Sequence, residues 1–189
     1  MPKPQTAKES AFSSRRILNI GCGNKLVAEA INVDLTPATS PDVVHDLNCL
    51  PWPFPDNQFD EVLAYDVIEH LDNTVAIFEE IHRVCCPGAI VRITVPHFSC
   101  SNAYSDPTHR RYFGRFSFDY MTGESENSFY TRVRFRERSC QIIFHPTLFN
   151  KLTWRIANRY PTAYERRWAW IFPAWFITVE LEVLKEPAA

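Results

Sequence analysis

RILNIGCGNKLVAEAINVD, residues 16–34, holds two short apolar runs on either side of a glycine-marked turn. Ile17, Leu18 and Ile20 form the kind of run a buried parallel strand shows. Gly21 and Gly23 let the chain turn sharply and let a ligand touch bare backbone. Asp34 ends the second run, where a carboxylate at a strand's C-terminal edge can accept hydrogen bonds from ribose hydroxyls. Together these features point to a nucleoside cofactor.

The spacing narrows the choice. A dinucleotide fingerprint needs G-x-G-x-x-G and then a full helix whose N-terminus holds the pyrophosphate. Leu26 stands where the third glycine belongs, and residues 24–30 are too few for a three-turn helix. A ligand with ribose but no pyrophosphate does not need that helix dipole. S-adenosylmethionine fits this description and NAD does not. A bare Gly-Cys-Gly turn with no ligand is the plain alternative, and the segments C-terminal to the turn decide between the two.

Residues 15–97 as a whole resemble the class I S-adenosylmethionine-dependent methyltransferases, close to the type 11 group. NIGCGN (19–24) is similar to their first motif and NVDL (32–35) to the acidic end of their second strand. VVHDLN (43–48) resembles the segment that closes over adenine. FPDNQFDEVLAYDVIEHL (54–71) resembles the fourth strand and its turn. EEIHRVCCPGAIVRITVPH (79–97) resembles the helix, Pro-Gly turn and fifth strand. The resemblance implies an α/β, Rossmann-like, doubly wound fold. Its seven-stranded sheet is mostly parallel, with an antiparallel last strand.

The departures from that pattern are specific. Asn19 and Lys25 replace the usual acidic residue and third glycine, Cys85-Cys86 replaces Leu-Lys, and Ala89 replaces a glycine. The connections Gly23 to Ile31 and Leu35 to Val43 are shorter than the dozen residues a parallel crossover takes. The first two helices of the fold are therefore expected to shrink to a turn or a loop. One sheet face would then be thinly covered, open to a partner subunit, such as a homodimer mate, or to the N-terminal arm.

A chain of 189 residues is one domain by length. Residues 1–14 read as a flexible arm without an apolar core, hence no secretory signal, and 15–189 as the methyltransferase domain. The formal charge of −2 gives no global attraction to nucleic acid or anionic membrane. Six cysteines, at 22, 49, 85, 86, 100 and 140, form no C-x-x-C pair. They read as reduced thiols of a cytoplasmic protein, with no zinc frame.

Further along, LNCLPWPFPDNQ (47–58) carries Pro51, Pro53 and Pro55, which stiffen it. Phe59 to Ala64 reads as the fourth strand. Residues 77, 78, 81 and 84 predict a helix over Thr74–Val84. Pro87-Gly88 is expected to end that helix, and AIVRITV (89–95) to be the fifth strand. Residues 97–138 form an insertion rich in His, Arg, Tyr and Phe, placed where lids and substrate platforms occur. SCQIIF (139–144) reads as a strand. Pro146 to Tyr160 reads as a helix with Leu148, Phe149, Leu152 and Ile156 on one side, and Phe176 to Val183 as a strand with one wetter face. RRWAWIFPAWF (166–176) reads as a segment packed on the sheet or as a peripheral membrane contact, and is too short to span a bilayer.

The resemblance assigns cofactor contacts to Asn19, Gly21, Cys22, Gly23, Asp34, Leu35, Asp46, Leu47 and Asp66. Asp34 would hold the ribose, Asp46 the adenine amine with Leu47 against the ring, and Asp66 the amino group. Methyl transfer is an in-line displacement, so the enzyme aligns the acceptor and takes its proton. His97 is favoured as base because it follows the fifth strand, with His70 and His109 competing. Arg110, Arg111 and Tyr112 are candidate acceptor contacts, whereas the arginines at 132–138 read as an exposed strand face. No motif for adenine or cytosine methylation is present, and no trio of oxygen ligands suggests a metal. The leading reading is O- or N-methylation of a small molecule such as a sugar, glycan precursor or secondary metabolite. RNA methylation, disfavoured by the charge, and a catalytically inactive binding scaffold are the alternatives.

Overall fold

The computed structural model describes residues 16–126 and 128–185, so the expected arm at 1–14 lies outside the described residues. One sheet contains β1 (Ile17–Ile20), β2 (Ala30–Asp34), β3 (Val43–Val44), β4 (Phe59–Tyr65), β5 (Cys85–Pro96), β6 (Arg134–Ile143) and β7 (Phe176–Leu184). The strand order is β3-β2-β1-β4-β5-β7-β6. The first five strands pair in parallel, and β7 runs antiparallel to both β5 and β6. This is the Rossmann-like sheet with the antiparallel strand that the sequence leads one to expect.

The register shows how the two faces differ. Leu18, Ile31, Val62, Val91 and Leu181 form one row across five strands. The adjacent row is Asn19, Asn32, Leu63, Arg92 and Glu180. Because side chains alternate across a strand, one face is apolar and the other largely polar. Parallel sheets are normally covered on both faces. Here the helices lie on the apolar side: Ile77, Phe78 and Ile81 of α1 (Thr74–Val84) share its core with Phe113, Phe118 and Met121 of the insertion, which carries the short helices α2 (Asn102–Ser105) and α3 (Asp119–Thr122). Each such residue contributes about 1.5–3 kcal/mol by burial.

The polar face satisfies itself through pairing. Arg92 is bound by Glu61 at 2.6 Å and also by Glu180. Arg136 and Arg138 both reach Glu182. Asn19 and Asn32, both buried, form a side-chain ladder at 2.9 Å that replaces a helix. Asn19 also holds the Lys25 carbonyl, and the Asn32 amide oxygen takes the Val27 N–H. Asp42 accepts from Asn32 through backbone and side chain, both at 2.8 Å. A helix shortened to loop leaves buried backbone groups that must be paired, and these two asparagines do it.

Two boundaries differ from expectation, and one helix turns its apolar stripe outward. Helix α1 gives way to β5 at Cys85, ahead of Pro87, because Cys85 already pairs with Phe59 before the register shift. Strand β6 starts at Arg134 rather than Ser139, since the alternating arginines fit an outward face beside Glu182. Helix α4 (Leu148–Arg159) forms, but Leu148, Leu152 and Ile156 face outward, at 86, 61 and 50% exposure. The Phe149 side chain is outside the described set. A second helix, α5 (Pro161–Arg167), packs with α4 through Ala157 and Tyr164 on Ile142 and Phe144.

The proline-stiffened loop is anchored to α1. Buried Glu80 accepts the Trp52 N–H at 2.6 Å and is held by the Arg83 guanidinium at 2.6 and 2.9 Å. Arg83 also reaches Asp56 and the Trp52 carbonyl. The Trp52 indole donates to the Leu47 carbonyl at 3.0 Å, fixing the wall above β3.

Candidate functional site

Four strand ends converge. β1 runs into Gly21, β2 ends at Asp34, β4 runs into Asp66, and β5 ends at Pro96. Ligands of open α/β sheets bind beyond such carboxyl ends. Gly21 has φ +60, and a Cβ there would lie 2.2 Å from Val67 Cγ2. Asp34 ties two turns together: its Oδ2 accepts from Gly23 N at 2.7 Å and its Oδ1 from Thr36 N at 3.0 Å. Asp46 accepts from Asn48 N at 2.9 Å in a local turn. Asp66 sits at φ 57, a left-handed conformation in which side chains are strained. Its Oδ2 pairs with Lys25 at 2.8 Å, while its buried Oδ1 has no hydrogen-bond partner.

Gly21, Asp34, Leu35, Asp46, Leu47 and Asp66 line a cleft of about 460 Å³, with His45, Asn48, Val67, His70 and Arg110. Asn19, Cys22 and Gly23 are not in that lining. Asn19 is a buried strut of the ladder, and burial pushes the Cys22 thiol up from its ordinary pKa.

A second hollow of about 630 Å³ adjoins the first. Its walls include Asp66, Glu69, His70, Asn102, Asp106 and His109. Asp66 and His70 belong to both hollows. Glu69 is 1% exposed, and neither carboxylate oxygen has a hydrogen-bond partner. Burial, with Asp66 and Asp106 nearby, pushes its carboxyl up to about 7. Burial and then His109 lower His70 below its ordinary pKa.

The expectation that His97 opens into the pocket is corrected by its burial. It has no exposed surface; its Nδ1 contacts Ser99 Oγ at 2.8 Å and its Nε2 lies 3.2 Å from Glu165. Glu165 also accepts the Arg115 N–H at 2.5 Å, so His97 clamps β5, α5 and the insertion together. Arg111 lines neither hollow; it binds the Arg110 and Asp72 carbonyls. Tyr112 stacks on Tyr104 at 4.8 Å, away from both hollows. Arg110 does line the first cleft and pairs with Asp72. Sequence reasoning passes over Glu69 and Asp106, although both sit in stretches that carry candidate histidines, DVIEHL and SDPTHRR.

The sheet order is that of the Rossmann-like methyltransferase fold. A model of the methyltransferase-domain family matches residues 18–93. In fold it is similar to a S-adenosylmethionine-dependent methyltransferase from Archaeoglobus fulgidus, at 18% identity, 89% of this chain, 86% of that one and TM-score 0.60. A putative methyltransferase from Bacillus halodurans matches at 14% identity, 90 and 93% coverage and TM-score 0.62. A third match, at 13% identity, 92 and 84% coverage and TM-score 0.57, is a putative methyltransferase in complex with the Haloferax volcanii Trm112 activator. No curated protein matches the sequence. Among the described residues no helix is long and apolar enough to cross a membrane.

Proposed function

We propose that this protein moves a methyl group from S-adenosylmethionine to an oxygen or nitrogen atom of a small molecule. The observation that carries this reading is the pair of adjoining hollows sharing Asp66 and His70. Asp34 holds the ribose hydroxyls, Asp46 the adenine amine, and Leu35 and Leu47 flank the ring. Asp66 would take the cofactor's amino group, a role that its unpartnered Oδ1 supports. Bound there, S-adenosylmethionine would supply an activated methyl group for in-line transfer to the acceptor's lone pair and would leave as S-adenosylhomocysteine. The acceptor's proton departs on the side where Glu69, His70 and His109 stand. The insertion at 97–138 supplies Asn102, Asp106 and His109 to that wall and acts as the acceptor platform. Free thiols at all six cysteines fit a reducing cytoplasm.

Calorimetric titration with S-adenosylhomocysteine tests the cofactor. Saturable binding near micromolar affinity, about −8 kcal/mol, is expected for the wild type and its loss for Asp34→Ala. A folded wild type that binds nothing would leave only the scaffold reading.

We also propose that α4, α5 and the segment 168–172 rest on an anionic bilayer surface. Leu152, Ile156, Tyr160, Trp168 and Phe172 line a shallow apolar groove, with Trp170 and Ile171 exposed beside it. Lys151, Arg155, Arg159, Arg166 and Arg167 are exposed around it, and Glu165 is turned inward to His97 and Arg115. Basic residues near such a surface are worth about 1 kcal/mol each. Cosedimentation with phosphatidylserine vesicles is expected, weakened by salt and by Trp168→Ser/Trp170→Ser. Protein that stays in the supernatant, or a salt-independent self-association through this face, would reject the bilayer.

A further inference from the structure

The acceptor hollow brings one carboxyl group and two imidazoles together. One ligand atom each from Glu69, His70 and His109 lies within 4.8 Å of the other two. Glu69 Oε1 and His109 Nε2 are 3.9 Å apart, too far for a hydrogen bond. The hydrogen bonds around the two imidazoles assign their tautomers. His109 Nδ1 lies 3.1 Å from the Ala103 carbonyl, which can only accept, so Nδ1 carries the proton and Nε2 the lone pair. Thr108 Oγ1 donates to Asp106 at 2.6 Å, so at 2.9 Å it accepts from His70 Nδ1. That leaves the lone pair of His70 on Nε2.

We infer that Glu69, His70 and His109 form a site for one divalent first-row transition ion. Two neutral imidazoles and one carboxylate suit zinc or iron(II) and leave coordination positions open. Metal-bound histidines usually give their other N–H to a carbonyl or a carboxylate. Here His109 gives it to Ala103 and His70 to Asp106 through Thr108. The buried, unpaired Glu69 is the second, independent sign, because a carboxylate without a donor is unfavourable unless a proton or a cation reaches it. Metal–ligand distances near 2.1 Å place neighbouring ligands roughly 3–3.5 Å apart. The three groups therefore close by about an ångström on binding.

The open positions face the 630 Å³ hollow, so the ion would favour an acceptor that presents an oxygen, as a hydroxyl or carboxylate. That acceptor assignment rests on the methyl-transfer reading; the ion site itself does not. The test treats purified protein with chelator, removes the chelator, and titrates with Zn²⁺ by calorimetry and with Co²⁺ by visible absorption. One ion per chain at micromolar affinity or tighter is expected. At least a tenfold loss is expected in Glu69→Gln and His109→Ala, and none in His145→Ala, an exposed histidine stacked on Trp175. Asp34→Ala, which removes the cofactor's ribose contact, should keep the ion, so failure of the cofactor reading and of the metal reading are distinguishable. Melting curves establish that each variant folds. No binding by the wild type, or equal binding in Glu69→Gln and His109→Ala, would overturn the inference and leave these groups as acid–base residues.

Discussion

Gly21→Ala is expected to weaken S-adenosylhomocysteine binding more than tenfold and to lower stability by about 2–5 kcal/mol. Two effects combine. A residue with a Cβ at φ +60 loses about 1–2 kcal/mol in the left-handed region. The new Cβ would also meet Val67 Cγ2 at 2.2 Å and Cβ at 2.6 Å, and overpacking a filled core typically costs about 1–3 kcal/mol. Val67 is itself buried and lines the cofactor cleft, so moving it aside changes the wall the ligand would touch. Gly23→Ala separates the terms. That glycine has φ +48 but open space around its missing Cβ, so only the backbone penalty should remain. Adding Val67→Ala to Gly21→Ala should relieve only the Cγ2 contact, because the Cβ at position 67 stays 2.6 Å away. Urea unfolding of the wild type and these variants reads the stabilities. If Gly21→Ala matched Gly23→Ala in stability and affinity, close packing at this turn would not be what the glycine serves.

The contrast between these two glycines shows what is readable in the sequence. The pattern G-x-G after an apolar run announces a sharp turn, and the turn is there. Which glycine is packed against a neighbour depends on Val67, more than forty residues away, and no local signal carries that. The same holds for the sheet. Its strand order follows from motifs in sequence order, and the short crossovers foretell a bare face. Less visible is how the bare face is stabilised: Asn19 occupies a motif position that suggests a cofactor contact. It instead braces Asn32 across a parallel register. His97 misleads in a similar way. Position after β5 aims a residue toward the crevice, but Ser99 and Glu165 turn its ring into the protein. His70 and His109 meet only because the insertion folds back, with Arg110 and Arg111 both donating to the Glu69 carbonyl. Helix α4 is legible as a helix from its period. Which side it buries is not, since its apolar stripe faces outward and Ala157 packs inward.

The second large effect is expected at Arg83, well away from both hollows. Replacing it by methionine removes the guanidinium that binds both oxygens of Glu80, a residue only 6% exposed. A buried ion pair adds little net stability, but removing one partner leaves an uncompensated charge and typically costs about 3–5 kcal/mol. Arg83 keeps a quarter of its side chain in solvent, so the lower end, about 3 kcal/mol, is expected. The loss should also reach the cofactor. Glu80 anchors the Trp52 N–H, Trp52 anchors the Leu47 carbonyl, and Leu47 lines the cleft. Loosening that chain leaves the adenine wall to be ordered by the ligand, which lowers affinity without touching a ligand contact. Glu80→Gln/Arg83→Met provides the check, because the amide oxygen still accepts from Trp52 while the stranded charge is gone. The double variant should be more stable than Arg83→Met alone, a coupling readable in a double-mutant cycle. Equal stability of Arg83→Met and the wild type would mean that the Trp52 loop holds its place without the ion pair.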